Sequence, residues 1–432
     1  MSTPNTTDEL RHIEEIRGIR ETEQVVREAQ SRQAYKKYLE AELGLRNHWY
    51  PIFFGQELKE GEMRGEMLLG ERILYKRAGG KVYAVADRCP HRGVAFSARP
   101  ECYSQNTVTC WFHGFTFDVR DGKLVAVLTE SNSSVVGKMT VRTYPVEEVN
   151  GVVFTFVGDL DPPPPATLDI QPKFFRPGLA FHPCMRHKIK CNWRLAAELG
   201  YDAAHVYGHR TAELVKRFKV VLPLSTYPSR KDVVRVIEGE GPKGVIKKDD
   251  INVWKAEVEG TVVAVDNIDP DNPPDDEFDI EVGLFMPCGL QVEPFPLPGM
   301  IHFEWYVPID EDHHMYMITQ AYAPTDEADE ARFHDECENV LGPLIWQPPG
   351  VQPEGFNNYD AFIREQVYHA YKHEGFWQRE RLYKPDYIVV QWRMLVSKYL
   401  RGIQRRTGDW ARPEGWSPTG DDYSPNRSPG RW

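Results

Sequence analysis

An α+β chain is predicted from three observations. Residues 49–157 alternate short β-branched and aromatic runs with dipeptides suited to tight hairpins. Asp161 and four prolines, Pro162 to Pro165, then interrupt any ladder, because proline has no N–H to donate. Beyond them a β-rich block over 233–322 precedes a helical section that runs to Tyr399.

Each element follows from local pattern. Residues 8–43 read as one charged helix, capped by Asp8, carrying Ile13, Ile16 and Ile19 at three-residue steps and stopped by Gly44. It forms an N-terminal helical arm over 1–44, either packed on a neighbouring subunit or solvated. In the first domain, 45–160, residues 73–77 pass through Ala78-Gly79-Gly80 into 81–85. Residues 114–119 turn at Asp121-Gly122 into 123–127, and 140–144 and 152–157 flank an Asn150-Gly151 turn. Gly-Gly, Asp-Gly and Asn-Gly tolerate the positive φ of two-residue hairpins. A Pro-rich linker spans 161–180 and a second domain 181–406. The tail, 407–432, is rich in Gly, Pro and Ser and carries Trp410, Trp416 and Trp432.

Composition narrows the function. A net charge of −12 over 432 residues argues against nucleic acid, which needs a basic face. The start is polar without an apolar signal core, and no apolar run approaches the ~20 residues of a membrane span. Seven cysteines, an odd and scattered number, suit a reducing compartment. The expectation is a soluble, cytoplasmic protein.

The stretch organising the chain is Cys89-Pro90-His91, eighteen residues, then Cys110-Trp111-Phe112-His113. Two thiolates and two imidazoles on two short loops suit either zinc or a Rieske [2Fe–2S] cluster. Structural zinc sites commonly pair a C-x-x-C with His on a helix. Here the first pair is C-x-H and the second runs into a hairpin, which favours the cluster.

A second constellation opens at Asn192-Trp193-Arg194. Asp202, His205 and His209 follow at steps of three and four, predicting one shared helical face. Two His at i and i+4 can share a metal, and adding a carboxylate gives a facial triad with open positions for O₂ and substrate. Asp360 is the candidate carboxylate, in the first turn of a helix that Asn357 or Asn358 can cap. On local chemistry alone it reads more simply as a residue favouring a helix N-terminus.

Other features read as bland. Glu365, His369 and His373 repeat at four-residue steps but look solvated. Gly239-Glu240-Gly241-Pro242-Lys243-Gly244 is a literal GxGxxG without the following helix that a dinucleotide site needs. Cys102, Cys184, Cys191, Cys288 and Cys337 read as buried small hydrophobes, and His48, His182, His187 and His302 have no spacing partner.

With these motifs the sequence resembles the Rieske non-haem iron ring-hydroxylating oxygenases, over about 43–398. The likeness is densest at Leu45-Arg46-Asn47-His48-Trp49-Tyr50-Pro51, the metal loops, the Asp202–His209 stretch, Phe303-Glu304-Trp305-Tyr306 and Glu354-Gly355-Phe356-Asn357-Asn358. The His205-x₃-His209 spacing resembles the branch that attacks N-heteroaromatic rings. The resemblance implies an N-terminal antiparallel β Rieske domain followed by a catalytic domain with a large antiparallel sheet flanked by helices. It implies a [2Fe–2S] cluster on Cys89, His91, Cys110 and His113, and a mononuclear Fe(II) on His205, His209 and Asp360.

It further implies a homotrimer in which Asp202 bridges a Rieske imidazole, His113, to His205 across the subunit interface. Gly200 is implied to offer its carbonyl to a substrate ring N–H. Electrons are implied to come from a ferredoxin, an NAD(P)H-dependent reductase or both, and the reaction to be mono- or dioxygenation of an aromatic compound. The alternatives are a Rieske-type demethylase and a Rieske electron carrier. Carriers of the respiratory type add a cysteine to each loop where this chain has Val94 and Phe112, and a carrier has no use for the long second domain.

Overall fold

The computed structural model describes residues 34–218, 280–348 and 350–406, with strands between 225 and 264. Most of the expected N-terminal arm, the tail from 407, and Gly239 and Glu240 of the GxGxxG string lie outside these residues. The chain divides into two compact units. No helix among the described residues is long and apolar enough to cross a membrane.

One unit comprises 43–166, 307–311 and the segment from Arg401. It holds three antiparallel sheets. Strands β1 (His48–Phe54), β2 (Met63–Leu68), β3 (Glu71–Ala78), β4 (Lys81–Ala86), β5 (Thr107–Thr109), β6 (Phe115–Asp118), β7 (Leu124–Val127), β8 (Thr143–Tyr144), β9 (Val146–Val149) and β10 (Val152–Val157) pair in the orders β1-β10-β9, β2-β3-β4-β8 and β5-β6-β7. The hairpin dipeptides do what their chemistry predicts. Gly79 and Gly80, and Asn150 and Gly151, all have positive φ and join β3 to β4 and β9 to β10. Gly122, at φ +74°, turns β6 into β7, where a Cβ would lie 2.1 Å from the Val141 carbonyl oxygen.

The β2–β3 turn was not legible. Leu69 adopts φ +54° there, held by its N–H to the Pro308 carbonyl and that of Gly70 to Ile309 (2.9 and 2.7 Å). At the core of this unit Phe53 meets Tyr75 edge-on at 5.2 Å. Buried Glu71 accepts from Tyr144 Oη (2.6 Å), Gln404 Nε2 (2.9 Å), Arg46 Nη1 (3.0 Å) and Arg142 Nη1 (3.3 Å). That carboxylate is fully satisfied, as a buried charge must be. It draws the segment at 404, late in the chain, onto the first domain.

The other unit contains 167–306, 312–400 and the described residues up to Glu42. Its helical remnant of the arm is short: α1 covers Lys36–Glu40, so the helix ends before the expected 43. The strands are β11 (Ala180–Ile189), β12 (Ser225–Thr226), β13 (Val234–Ile237), β14 (Gly241–Ile246), β15 (Ile251–Val253), β16 (Lys255–Val258), β17 (Thr261–Ala264), β18 (Ile280–Phe285), β19 (Gly289–Glu293), β20 (Ile301–Pro308) and β21 (His314–Tyr322). Seven of them form one antiparallel sheet in the order β11-β21-β20-β19-β18-β14-β13. The described part of the GxGxxG string lies in strand β14 and the next described element is strand β15, so among the described residues no phosphate-cradling helix follows it.

The helices of this unit include α2 (Trp193–Tyr201), α3 (Glu213–Phe218), α4 (Glu327–Glu336), α5 (Gly342–Ile345), α6 (Phe356–His373), α7 (Phe376–Arg379) and α8 (Tyr387–Tyr399). Asn192 caps α2 by accepting from the Arg194 N–H (3.2 Å). Trp193 Nε1 donates to the Ala41 carbonyl (2.9 Å), and Tyr38 Oη to that of Arg194 (3.1 Å). From α8, buried Arg393 donates Nε and Nη2 to Glu198 (2.8 and 2.6 Å) and Nη1 and Nη2 to Glu380 (2.7 and 2.8 Å). Helix α2 is thereby fixed at both ends, which matters because the second constellation begins where it stops.

Candidate metal centres

The two loops of the first unit are built alike. Gly93 donates its N–H to the Cys89 carbonyl (2.8 Å), and Gly114 to that of Cys110 (2.9 Å). The Cys89 N–H reaches Val94 O and the Cys110 N–H reaches Phe115 O, each at 2.8 Å. Gly93 and Gly114 have φ +76° and +68°, and a Cβ on Gly114 would lie 2.7 Å from Leu128 Cβ. Each loop is therefore a tight knuckle with a cysteine first and a glycine fifth.

The thiols of Cys89 and Cys110 are buried and in hydrogen-bond contact, while the imidazoles of His91 and His113 face each other at 4.8 Å between ring centroids. Sulfur is thus sorted to one side and nitrogen to the other. A cluster with one thiolate-bound and one imidazole-bound iron needs this sorting, whereas one zinc ion needs all four donors around a single point. His113 Nδ1 is buried without a hydrogen-bond partner, as a ligand nitrogen would be. Burial pushes the Cys89 thiol up to about 12; the His91 N–H aimed at it opposes this and the Cys110 thiol adds to it. A cation is then needed to make it a thiolate. His91 is exposed and stacks on Phe115 at 4.6 Å.

The second constellation is not a continuous α-helix. Helix α2 stops at Tyr201 because Asp202 takes an extended ψ of 111°. The Asp202 carboxylate then accepts from the Ala204 N–H (2.8 Å) and caps a 3₁₀ segment, Ala203–His209. The expected common helical face is replaced by this bend, yet the rings of His205 and His209 still approach to 5.2 Å. The Asp202 main-chain carbonyl pairs with His205 Nδ1, and since a carbonyl only accepts, Nδ1 carries the proton. That leaves the Nε2 lone pair of His205 free for a metal.

Asp360 meets them from α6. It lies one turn further in than expected: Gly355 is the N-cap, and Asn358 Oδ1 accepts from the Gly355 N–H (3.0 Å). Asp360 Oδ1 is 3.4 Å from His209 Nε2 and 3.6 Å from His205 Nε2, and Asn357 Nδ2 donates to Oδ2 (3.0 Å). Among the described residues, His205, His209 and Asp360 are the group of such donors that converges within 4.8 Å. Both ring nitrogens of fully buried His209 lack a hydrogen-bond partner. Its ring stacks on Phe356 of the same helix at 3.9 Å and 12°. Burial opposes charge on Asp360, but His209, Arg364 and His205 outweigh it and hold the carboxyl well below the usual range. Two imidazoles and one carboxylate with their free lone pairs together fit a facial-triad metal site.

The remaining candidates fall as follows. Gly200 sits in the last turn of α2, where a Cβ would lie 1.9 Å from the Tyr306 hydroxyl, so packing alone demands glycine. His369 is exposed and pairs with Glu374 at 3.4 Å. Cys191, Cys288 and Cys337 are buried as expected, Cys184 is partly so, and Cys102 is exposed, a correction explained by its place in the exposed run 102–105 ahead of β5.

Sequence reasoning missed a buried polar layer behind Asp360. Glu304 binds His302 Nε2 (2.6 Å), Tyr306 Oη (2.5 Å) and Tyr316 Oη (3.0 Å), and Arg364 lies 3.8 Å from Asp360. An acid within the fully buried strand Ile301–Pro308, and an arginine four residues after a ligand, were the available signals.

Comparison with known proteins agrees with the cluster loops. The Rieske [2Fe-2S] domain family matches residues 48–145, and the homotrimeric ring hydroxylase family matches 156–404. The chain is 39% identical to the terminal oxygenase component of carbazole 1,9a-dioxygenase from Sphingomonas sp, over 86% of this chain and 96% of that protein. The terminal oxygenase of carbazole 1,9a-dioxygenase from Nocardioides aromaticivorans IC177 superposes with a TM-score of 0.79 at 34% identity, covering 87% of this chain and 100% of that one. A reduced complex between oxygenase and ferredoxin in carbazole 1,9a-dioxygenase gives 0.77 at 36%, covering 89% and 96%. The α+β architecture, the cysteine–histidine knuckles and these likenesses agree: the chain belongs to the Rieske-type ring-hydroxylating oxygenases.

Proposed function

We propose that this chain is the terminal oxygenase of a ring-hydroxylating system acting on an N-heteroaromatic compound, with a [2Fe–2S] cluster on Cys89, His91, Cys110 and His113 and a mononuclear Fe(II) on His205, His209 and Asp360. The carrying observation is the convergence of two imidazoles and a carboxylate beside a wholly buried His209 with no other hydrogen-bond partner. When bound, the cluster relays single electrons and the ferrous iron uses them to activate O₂.

The protein's own groups prepare that chemistry. The Asp202 carbonyl fixes the His205 tautomer, Phe356 fixes the His209 ring plane, and Asn357 orients the Asp360 carboxylate. Three such chains assemble, in keeping with the homotrimeric description of the matching family. Across that interface the Asp202 side chain accepts from His113 of the neighbouring subunit and couples the centres. Gly200, in a helix turn whose carbonyls run out of helical partners, offers its oxygen to the substrate N–H. The electron donor is a ferredoxin, as in the complexes of the similar oxygenases, and the odd, scattered cysteines favour the reducing cytoplasm as the site of action.

The test supplies a ferredoxin–reductase pair and ¹⁸O₂, offers carbazole-like and quinoline-like substrates, and reads product mass. Incorporation of one or two labelled oxygens into a ring carbon supports the reading. Formaldehyde release from a methoxylated substrate offered alongside, with no label in any ring product, would replace it with a demethylase.

A further inference from the structure

The buried layer behind Asp360 contains an arginine whose ion pair, among the described residues, is with that carboxylate. Arg364 is 0% exposed, and none of Nε, Nη1 and Nη2 has a hydrogen-bond partner. Its guanidinium carbon lies 4.1 Å above the ring of Tyr316 and 4.9 Å above that of Tyr306. Those two rings stack at 5.5 Å and both donate their hydroxyls to one oxygen of Glu304. Asn357 links the layer to the site, donating to Tyr316 Oη at 2.6 Å and to Asp360 Oδ2 at 3.0 Å. The nearest acid oxygen to the guanidinium is Oδ1 of Asp360 at 3.8 Å, the oxygen that faces both imidazoles.

A guanidinium stays charged even when buried, and one lacking hydrogen bonds is held at substantial cost in free energy. Two electron-rich ring faces offset part of that cost. The arrangement would be wasteful if Arg364 served packing alone.

We propose that Arg364 is a positioning residue, a permanent positive charge behind Asp360 that, opposed by Glu304, sets the reduction potential of the mononuclear iron. This rests on the metal assignment of the preceding section. Coulomb repulsion from a fixed cation grows with the charge of the ion it faces, so Arg364 disfavours ferric iron more than ferrous iron. Glu304 acts with the opposite sign. Arg364 thus biases the site towards the ferrous state, and Glu304 offsets part of that bias.

The experiment is a mediated redox titration of the purified holoenzyme by EPR. It follows the high-spin ferric signal of the mononuclear site, with the Rieske signal of the same sample as internal reference. Arg364→Met is expected to move the mononuclear midpoint to more negative potential and leave the Rieske midpoint unchanged. Arg364→Lys, which keeps the charge, is expected to restore most of the wild-type value. Glu304→Gln is expected to move the midpoint to more positive potential.

A role in packing alone would not give shifts of opposite sign for removal of the cation and the anion. If Arg364→Met does not fold or hold iron, the Lys and Gln variants decide. An unmoved midpoint in Glu304→Gln, or shifts of the same sign in Arg364→Met and Glu304→Gln, overturns the proposal. Absence of any mononuclear signal in the iron-replete wild type would instead overturn the metal assignment.

Discussion

Replacing Arg393 by methionine tests how the second centre is held in place. The guanidinium makes four hydrogen bonds to Glu198 and Glu380 and packs against the Tyr35 and Trp377 rings at 5.2 and 5.1 Å. Glu198 is wholly buried in α2, four residues before Asp202. Removing one partner of a buried pair costs about 3–5 kcal/mol, because it strands the other charge. At ~2–4 °C per kcal/mol for a unit of this size, the catalytic unit should melt roughly 6–20 °C lower.

The loss should depend on pH in a defined sense. Burial pushes Glu198 above its usual value even with Arg393 beside it, and without that cation it rises further. A carboxyl whose folded pKa is raised contributes stability at low pH that disappears as pH climbs through the folded value. The deficit of Arg393→Met should therefore be large at pH 8 and shrink towards pH 5. Differential scanning calorimetry at both pH values measures it, with iron content as a second readout. Equal melting temperatures for variant and wild type at pH 8, or a deficit that grows on acidification, would refute the reasoning.

Three further outcomes are expected. Asp202→Asn leaves the main-chain carbonyl on His205 in place and removes only the carboxylate, so it should keep the Rieske EPR signal and the full iron content while product formation falls ~10–100-fold, the range for losing an outer partner of a metal-bound imidazole; unchanged turnover would remove Asp202 from the electron path. His209→Ala should lose iron while acid-labile sulfide stays at the wild-type level, measured on one desalted sample, since this ring serves the triad and neither knuckle. Asp386 is pushed up to about 6, chiefly by burial and further by Asp202, while the Tyr383 N–H pulls it down. Its stabilising contribution is thus complete at acidic pH and lost as pH rises through about 6. Asp386→Asn should accordingly gain ~1–2 kcal/mol at pH 7.5, after discounting for partial exposure, and about a third of that at pH 4.5, read from urea melts.

What could be read from the sequence follows how local the responsible physics is. The knuckles at Cys89 and Cys110 and the turns at Gly79-Gly80 and Asn150-Gly151 depend on glycine or asparagine at positive φ, so their residues announce them. The His205–His209 spacing survived a change of helix type because a four-residue step still brings the rings within 5.2 Å. The bend at Asp202 was hidden, since the same residue can continue a helix or cap the next one. Leu69 at φ +54° is imposed by Pro308, far away in sequence. Arg364 and Glu304 left only faint signals for a related reason: whether a charged residue is solvated or sealed behind two tyrosines is decided by tertiary packing.

Glu71 carries a consequence for how the protein is made. Its carboxylate sits in the domain nearest the start of the chain, but one of its donors, Gln404, is synthesised hundreds of residues later. An emerging polypeptide therefore cannot seal that domain on its own. Iron–sulfur assembly has to engage a domain that still lacks this donor or wait for the ribosome to deliver the closing segment. A fragment cut after residue 160 would carry the knuckles but leave this acid short of a donor.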